Sequence, residues 1–129
     1  IDMEREIRRT REKIQSGAQY IITQPVFDVA SLLRFMDAVP ELSQIPVIAG
    51  IWPLASLRNA EFMKAEVPGV VVPDPVMARM SAAQTKEEQR SAGIAIAREA
   101  IAAIRDRVAG VQVSAPFGNV HTAIAVAQG

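Results

Sequence analysis

The chain has 129 residues, half of them apolar and 22% charged, an ordinary composition for one globular domain. Its 14 basic and 14 acidic residues cancel, so no charge surplus points to nucleic acid, and no apolar run approaches the roughly 20 residues of a membrane-spanning helix. Cysteine is absent, which excludes disulfides, thiolate metal ligands and a Cys nucleophile, and suits a cytoplasmic protein.

The opening Ile1-Asp2-Met3-Glu4 is charged from the start and is no signal peptide. A start at Ile rather than Met points to an upstream segment. Residues 3 to 16 read as a helix, with Met3, Ile7, Thr10 and Ile14 on one stripe among Arg, Glu and Lys, and Gly17 placed to end it. Tyr20 to Thr23 is a short β-rich run without polar alternation, the pattern of a strand buried on both faces in a parallel sheet. Asp28 suits the N-cap of a helix over Val29 to Val39, with Leu32, Leu33, Met36 and Val39 inward and Pro40 as the stop. Pro46 to Ile51 reads as a second buried strand, broken by Pro53. Ser56 can cap a helix from Leu57 to Ala65, which Pro68-Gly69 ends.

Val70 to Val72 has strand propensity, but Pro73-Asp74-Pro75 follows at once. Asp74 as N-cap with Pro75 at the first helical position starts a helix to about Ala82. Thr85 and Glu88 have the spacing of a capping box, opening a long helix to about Val108 with Ile94, Ala97, Ile101, Ile104 and Val108 buried. Val111 to Ala115 is a third buried strand, Gly118-Asn119 a turn, and Val120 to Ala127 a terminal helix. Strands alternating with helices predict βαβ units and a parallel sheet. Three strands are too few for a closed (β/α)8 barrel, which takes about 250 residues, and would leave a sheet face and both edges open. Residues 1–129 therefore read as a single segment of something larger.

In parallel α/β folds ligands sit at the C-terminal ends of the strands. Here those ends offer Thr23 to Asp28, Gly50 to Leu54 and Ser114 to Asn119, an apolar and amide-rich set without a base–nucleophile pair. Gln24 is either a rim residue bonding a loop or an amide that meets a ligand. His121, the sole histidine, reads as solvated, Ser114 has no base in view, and no phosphate-loop or dinucleotide glycine pattern occurs.

Lys13 to Asp28 (KIQSGAQYIITQPVFD) resembles the methylenetetrahydrofolate reductase pattern K-x-x-x-G-A-x-x-x-I-T-Q-x-x-F-D, and Pro46 to Leu54 resembles that family's next strand, P-I-x-x-G-I-x-P. Ser56 to Phe62, Val67 to Gly69 and Val111 to Phe117 fit in the same order, with wording similar to the reductase half of bifunctional homocysteine methyltransferase–reductase proteins. The resemblance implies the last three β/α units of a (β/α)8 barrel, a preceding helix and an extra helical segment between Pro75 and Val108. It implies FAD as cofactor, NAD(P)H as co-substrate and methylenetetrahydrofolate as the folate substrate, reduced to methyltetrahydrofolate. Gln24 would hydrogen-bond the folate pterin, for which a planar donor–acceptor amide is suited. Lys13 and Ile22 would contact the flavin cofactor. Asn59, Phe62 and Met63 would meet the substrate, Asn59 where many relatives carry glutamine. Phe117-Gly118-Asn119 lacks the cation that many relatives place there. The family's acid glutamate, flavin-tuning aspartate and most FAD contacts lie outside this sequence. The expected partner is the upstream part of the barrel, and the isolated chain is expected to be inactive. The alternative is a non-catalytic α/β scaffold module that buries its open sheet as a homo-oligomer.

Overall fold

The computed structural model describes residues 3–128, so the charged Ile1-Asp2 start and Gly129 lie outside the described residues. Six α-helices and three strands follow one another as α1 (Met3–Gln15), β1 (Ile21–Pro25), α2 (Val29–Ala38), β2 (Val47–Ile51), α3 (Leu57–Glu66), α4 (Asp74–Ala82), α5 (Lys86–Ile104), β3 (Gly110–Val113) and α6 (Val120–Ala127), with short 3-10 turns at Pro40–Gln44 and Pro116–Gly118. The sheet is parallel throughout, in the order β1-β2-β3. This is the arrangement of a partial (β/α)8 barrel, as expected.

The helix ends are set by local chemistry. Asp28 caps α2, its carboxylate accepting from the Ser31 N–H at 3.2 Å and the Ser31 hydroxyl at 2.6 Å. Ser56 caps α3 by accepting from the Asn59 N–H at 3.0 Å. The capping box of α5 is complete, and Glu88 also accepts from the Gln84 N–H at 2.8 Å. At α4 the start differs from expectation. Asp74 is the first helical residue rather than the cap, and the Pro73 carbonyl accepts from the N–H groups of Val76 and Met77 at 3.0 and 3.1 Å. Val70 to Val72 is an extended connector with Val70 and Val72 buried, and forms no strand.

Three boundaries move for tertiary reasons. Helix α2 stops at Ala38 because a short 3-10 turn, Pro40–Gln44, takes over and buries Leu42. Helix α5 stops at Ile104, where its carbonyl accepts from both Arg107 and Val108 and turns the chain into β3. Its buried stripe is Gly93, Ile96, Ala97, Ala100 and Ile104, with Ile94, Ile101 and Val108 only half buried. Strand β3 runs from Gly110 to Val113 rather than from Val111 to Ala115.

The expectation that all strands are buried on both faces is not met, and the central strand β2 comes nearest to it, with only Ile48 half buried. Residues side by side in a parallel ladder point to the same face. Ile21 with Val47, Ala49 with Val111 and Ile51 with Val113 share the face on which the helices pack, where Ala49, Ile51, Leu32, Ala97 and Ile104 form a core and Val111, at the sheet edge, stays exposed. Ile22, Ile48 and Gly110 form the other face, which is open, so Ile22 is 54% exposed. Helix α1 packs Ile7 and Ile14 onto Val39, Leu42 and Val47, with its predicted stripe inward. A further core under α3, α4 and the start of α5 gathers Phe27, Leu54, Met63, Val72 and Met80. None of the described helices is long and apolar enough to cross a membrane.

Candidate functional site at the strand ends

Strand β1 does not run straight to its end. Its pairing with β2 is irregular between Ile22 and Pro25. The Thr23 hydroxyl fills the break, accepting from the Gly50 N–H at 3.0 Å and donating to the Gln24 carbonyl at 2.8 Å. Ladder bonding then resumes, with the Val26 N–H donating to the Gly50 carbonyl at 3.0 Å. The bulge crowds β2, since a Cβ on Gly50 would stand 2.8 Å from the Thr23 carbonyl oxygen. Glycine at that position is a requirement of the bulge.

The consequence is the placement of Gln24. Ile22 and Gln24 are the exposed positions of β1. The Gln24 side chain lies over Gly69, in the turn between α3 and α4, with its Oε1 atom 2.7 Å from where a Gly69 Cβ would be. Gly69 itself has φ +83°, a left-handed conformation that glycine adopts freely. The amide therefore sits at the C-terminal end of the sheet, and among the described residues no group hydrogen-bonds its terminal atoms.

The next loop is held by Asn59, which is 6% exposed. Its side-chain oxygen accepts from the Trp52 indole N–H at 3.0 Å and the Ala55 N–H at 3.1 Å. Two donors on one atom fix which end of the amide is oxygen. That oxygen is committed to the loop, and what Asn59 can still offer a ligand is its NH2 group. Phe62, on the same helix, is 55% exposed and free to give apolar contact, whereas Met63 is 4% exposed and packed in the core.

Lys13 lies elsewhere. It is exposed in the last turn of α1, and its carbonyl accepts from the Ala18 N–H at 3.0 Å just before the chain enters β1. Lys13 and Gln24 are thus at opposite ends of β1, and the structure does not bring them together. Lys13 makes no ion pair with a described residue. A cleft of about 700 Å³ also opens at the strand-entry end, lined in part by Asp37, Pro46, Arg107 and Ala109, away from Gln24. Among the described residues no cluster of His, Asp and Glu could hold a metal ion.

Two contributors carried no signal of their own in the sequence. Thr23 reads as one more β-former, and Gly69 as a helix terminator. Gly93 did carry a signal, because a glycine in mid-helix costs about 1 kcal/mol relative to alanine and needs a reason.

Comparison with known proteins accords with this geometry. The family model for methylenetetrahydrofolate reductase matches residues 1–114. A curated relative, methylenetetrahydrofolate reductase 2 of Schizosaccharomyces pombe, is 30% identical over 105 residues, covering 77% of this chain and 16% of the relative. A solved structure, described as an uncharacterized protein from Clostridium thermocellum that binds two copies of 5-methyl-5,6,7,8-tetrahydrofolic acid, shares the fold. It superposes with a TM-score of 0.62 at 23% identity, over 95% of this chain and 46% of its own.

Proposed function

The chain belongs to the methylenetetrahydrofolate reductase family, and from that premise we propose that it forms the folate-facing part of a flavin-dependent reductase. The reaction proposed is reduction of 5,10-methylenetetrahydrofolate to 5-methyltetrahydrofolate, with NAD(P)H as the source of reducing equivalents. The observation that carries the proposal is the Gln24 amide, exposed at the strand ends with its donor and acceptor unspent among the described residues.

A pterin edge presents hydrogen-bond donors and acceptors in one plane, and a primary amide answers both at once. Gln24 would therefore bind and orient the substrate ring rather than move a proton. Phe62 would give apolar surface to the rest of the substrate, and the Asn59 NH2 group a further donor. The buried Met63 would support Phe62 and Asn59 from beneath. The reduced folate named for the solved neighbour supports this substrate class.

Two residues fit contacts to a flavin cofactor. Lys13 offers an ammonium that suits a phosphate, and Ile22 offers apolar surface on the open face. Bound FAD would supply the redox chemistry that these side chains lack. On this reading the chain by itself turns over little or no substrate, because the acid glutamate and most flavin contacts that the family resemblance implies are not among its residues, and catalysis needs its groups at fixed distances.

The test is Gln24→Ala in the full-length protein, assayed for flavin content and for folate turnover. Losing a bidentate amide contact worth ~3 kcal/mol should lower kcat/KM for methylenetetrahydrofolate about 100-fold. Flavin content should stay at the wild-type level. Unchanged turnover would remove Gln24 from the site.

A second reading is favoured by one observation. Tyr20 and Ile22 are 57% and 54% exposed, and Ile22 lies on the open face. In that reading the chain is a scaffold module that self-associates through the face. Sedimentation of the isolated chain separates the two, since a monodisperse monomer rules out self-association.

A further inference from the structure

We infer that Gly69 is the positioning residue for the Gln24 amide, and that its missing side chain is the slot in which that amide lies. The inference rests on the reading of Gln24 as the substrate-binding amide, and adds the residue that aims it.

Gln24 has three rotatable side-chain bonds and, at an exposed strand end, would sample many rotamers. Its own strand holds only its backbone, through the Thr23 hydroxyl on the Gln24 carbonyl at 2.8 Å. The contact that constrains the side chain comes from a different unit of the fold. Gly69 turns the chain from α3 toward α4 at φ +83°, and this turn lays bare backbone beneath the Gln24 amide. An ideal Cβ there would lie 2.7 Å from Oε1, 3.6 Å from Cδ and 3.9 Å from Nε2. All three nearest atoms belong to Gln24, so a side chain at position 69 meets this amide before anything else.

Oε1 is the end of a flexible side chain, so the clash is relieved by moving Gln24 rather than by breaking the fold. That separates Gly69 from Gly50, where an added Cβ would meet only backbone. A residue larger than glycine at 69 is expected to fold and to carry a misaimed amide.

The test uses Gly69→Asn in the full-length protein, because asparagine tolerates a left-handed backbone while still carrying a Cβ. 5-Methyltetrahydrofolate affinity is measured by calorimetry in wild type, Gly69→Asn, Gln24→Ala and the double variant. Losing one amide hydrogen bond should weaken binding about tenfold in the Gln24 background, and less than about twofold when residue 24 is already alanine. An equal loss in both backgrounds overturns the inference, because the effect would then bypass the amide. A crystal structure of Gly69→Asn decides the same point without ligand. A displaced Gln24 amide supports the inference and an unmoved one overturns it. Should the wild-type protein bind no reduced folate, the proposed substrate class fails, and the crystal structure still rules on Gly69.

Discussion

Gly93 in α5 presses directly onto the backbone of Leu54, so closely that a Cβ on Gly93 would fall 1.8 Å from the Leu54 carbonyl oxygen. Helix α5 is therefore seated on the loop after β2 by backbone against backbone. Leu54 is fully buried in the same core as Ile96, one turn further along α5. Gly93→Ala should gain up to about 1 kcal/mol of helix propensity and lose about 3 kcal/mol through overpacking that no side-chain rotation can relieve. The expected net loss of about 2 kcal/mol is measured by urea unfolding, and a variant as stable as wild type would show that α5 can lift off the loop at no cost.

Asn59 should be intolerant of an apolar isostere. Asn59→Leu removes the one acceptor shared by the Trp52 indole and the Ala55 N–H. Leaving two such donors unpaired costs about 1–3 kcal/mol each when they are buried, and both are partly buried here, so a loss of about 2–3 kcal/mol is expected. Trp52 is the only tryptophan of the chain, and its emission spectrum reports whether the loop has opened. An unshifted spectrum with unchanged stability would mean that water replaces Asn59 adequately.

Thr23 separates its hydroxyl from its shape. Thr23→Val keeps the β-branched volume but removes the acceptor for the buried Gly50 N–H and the donor to the Gln24 carbonyl. A loss of about 1–3 kcal/mol is expected, with Thr23→Ser close to wild type. Hydrogen exchange at the Gly50 amide checks it directly. Protection there should fall in the Val variant and persist in the Ser variant.

The α4–α5 contact carries a pH dependence of known sign. Arg79 grips Glu99 with two hydrogen bonds at 2.7 and 2.8 Å, which hold the Glu99 carboxyl below its ordinary value of 4.5 and raise Arg79. A carboxyl lowered in the folded state contributes stability above 4.5 and loses it as pH falls through the folded value. Both side chains are exposed, so the contribution is about 0.5 kcal/mol. Glu99→Gln should cost that amount at pH 7 and converge on wild type under acid. Unfolding curves that stay apart in acid, once Glu99 is protonated in both states, would place the effect in packing rather than charge.

What the sequence made legible was local. Asp28, Ser56 and the Thr85–Glu88 box each announce a helix start within a few residues, and each cap is present. The stripe of α1 is a property of spacing alone, and it packs as its spacing requires. The exposed half of β1 was harder to foresee, because Tyr20, Ile22 and Thr23 have the same β-forming character whether or not the sheet is covered. Gln24 was legible as the amide at a strand end, but its support was not. The bulge at Thr23 depends on Gly50, and the slot at Gly69 belongs to a turn between two helices. Such contacts join distant segments and leave no periodicity. Met63 shows the converse limit, since its neighbour Phe62 is outward and one step of helix rotation decides which of the two faces solvent.

The order β1-β2-β3 bears on how the protein comes into being at the ribosome. Each strand pairs with the strand nearest to it in the chain, so the sheet can grow in the direction of synthesis without any later strand inserting between earlier ones. β1 and β2 are joined by α2 and the short Pro40–Gln44 turn, and their ladder can close early. β3 must wait for α3, α4 and α5 to emerge, the longest connection in the sheet. During that wait β2 shows a bare edge to solvent, and the α5 helix that will seat Gly93 on Leu54 is still being made. That interval, rather than the finished fold, is when the chain is most open to mispairing with another copy of itself.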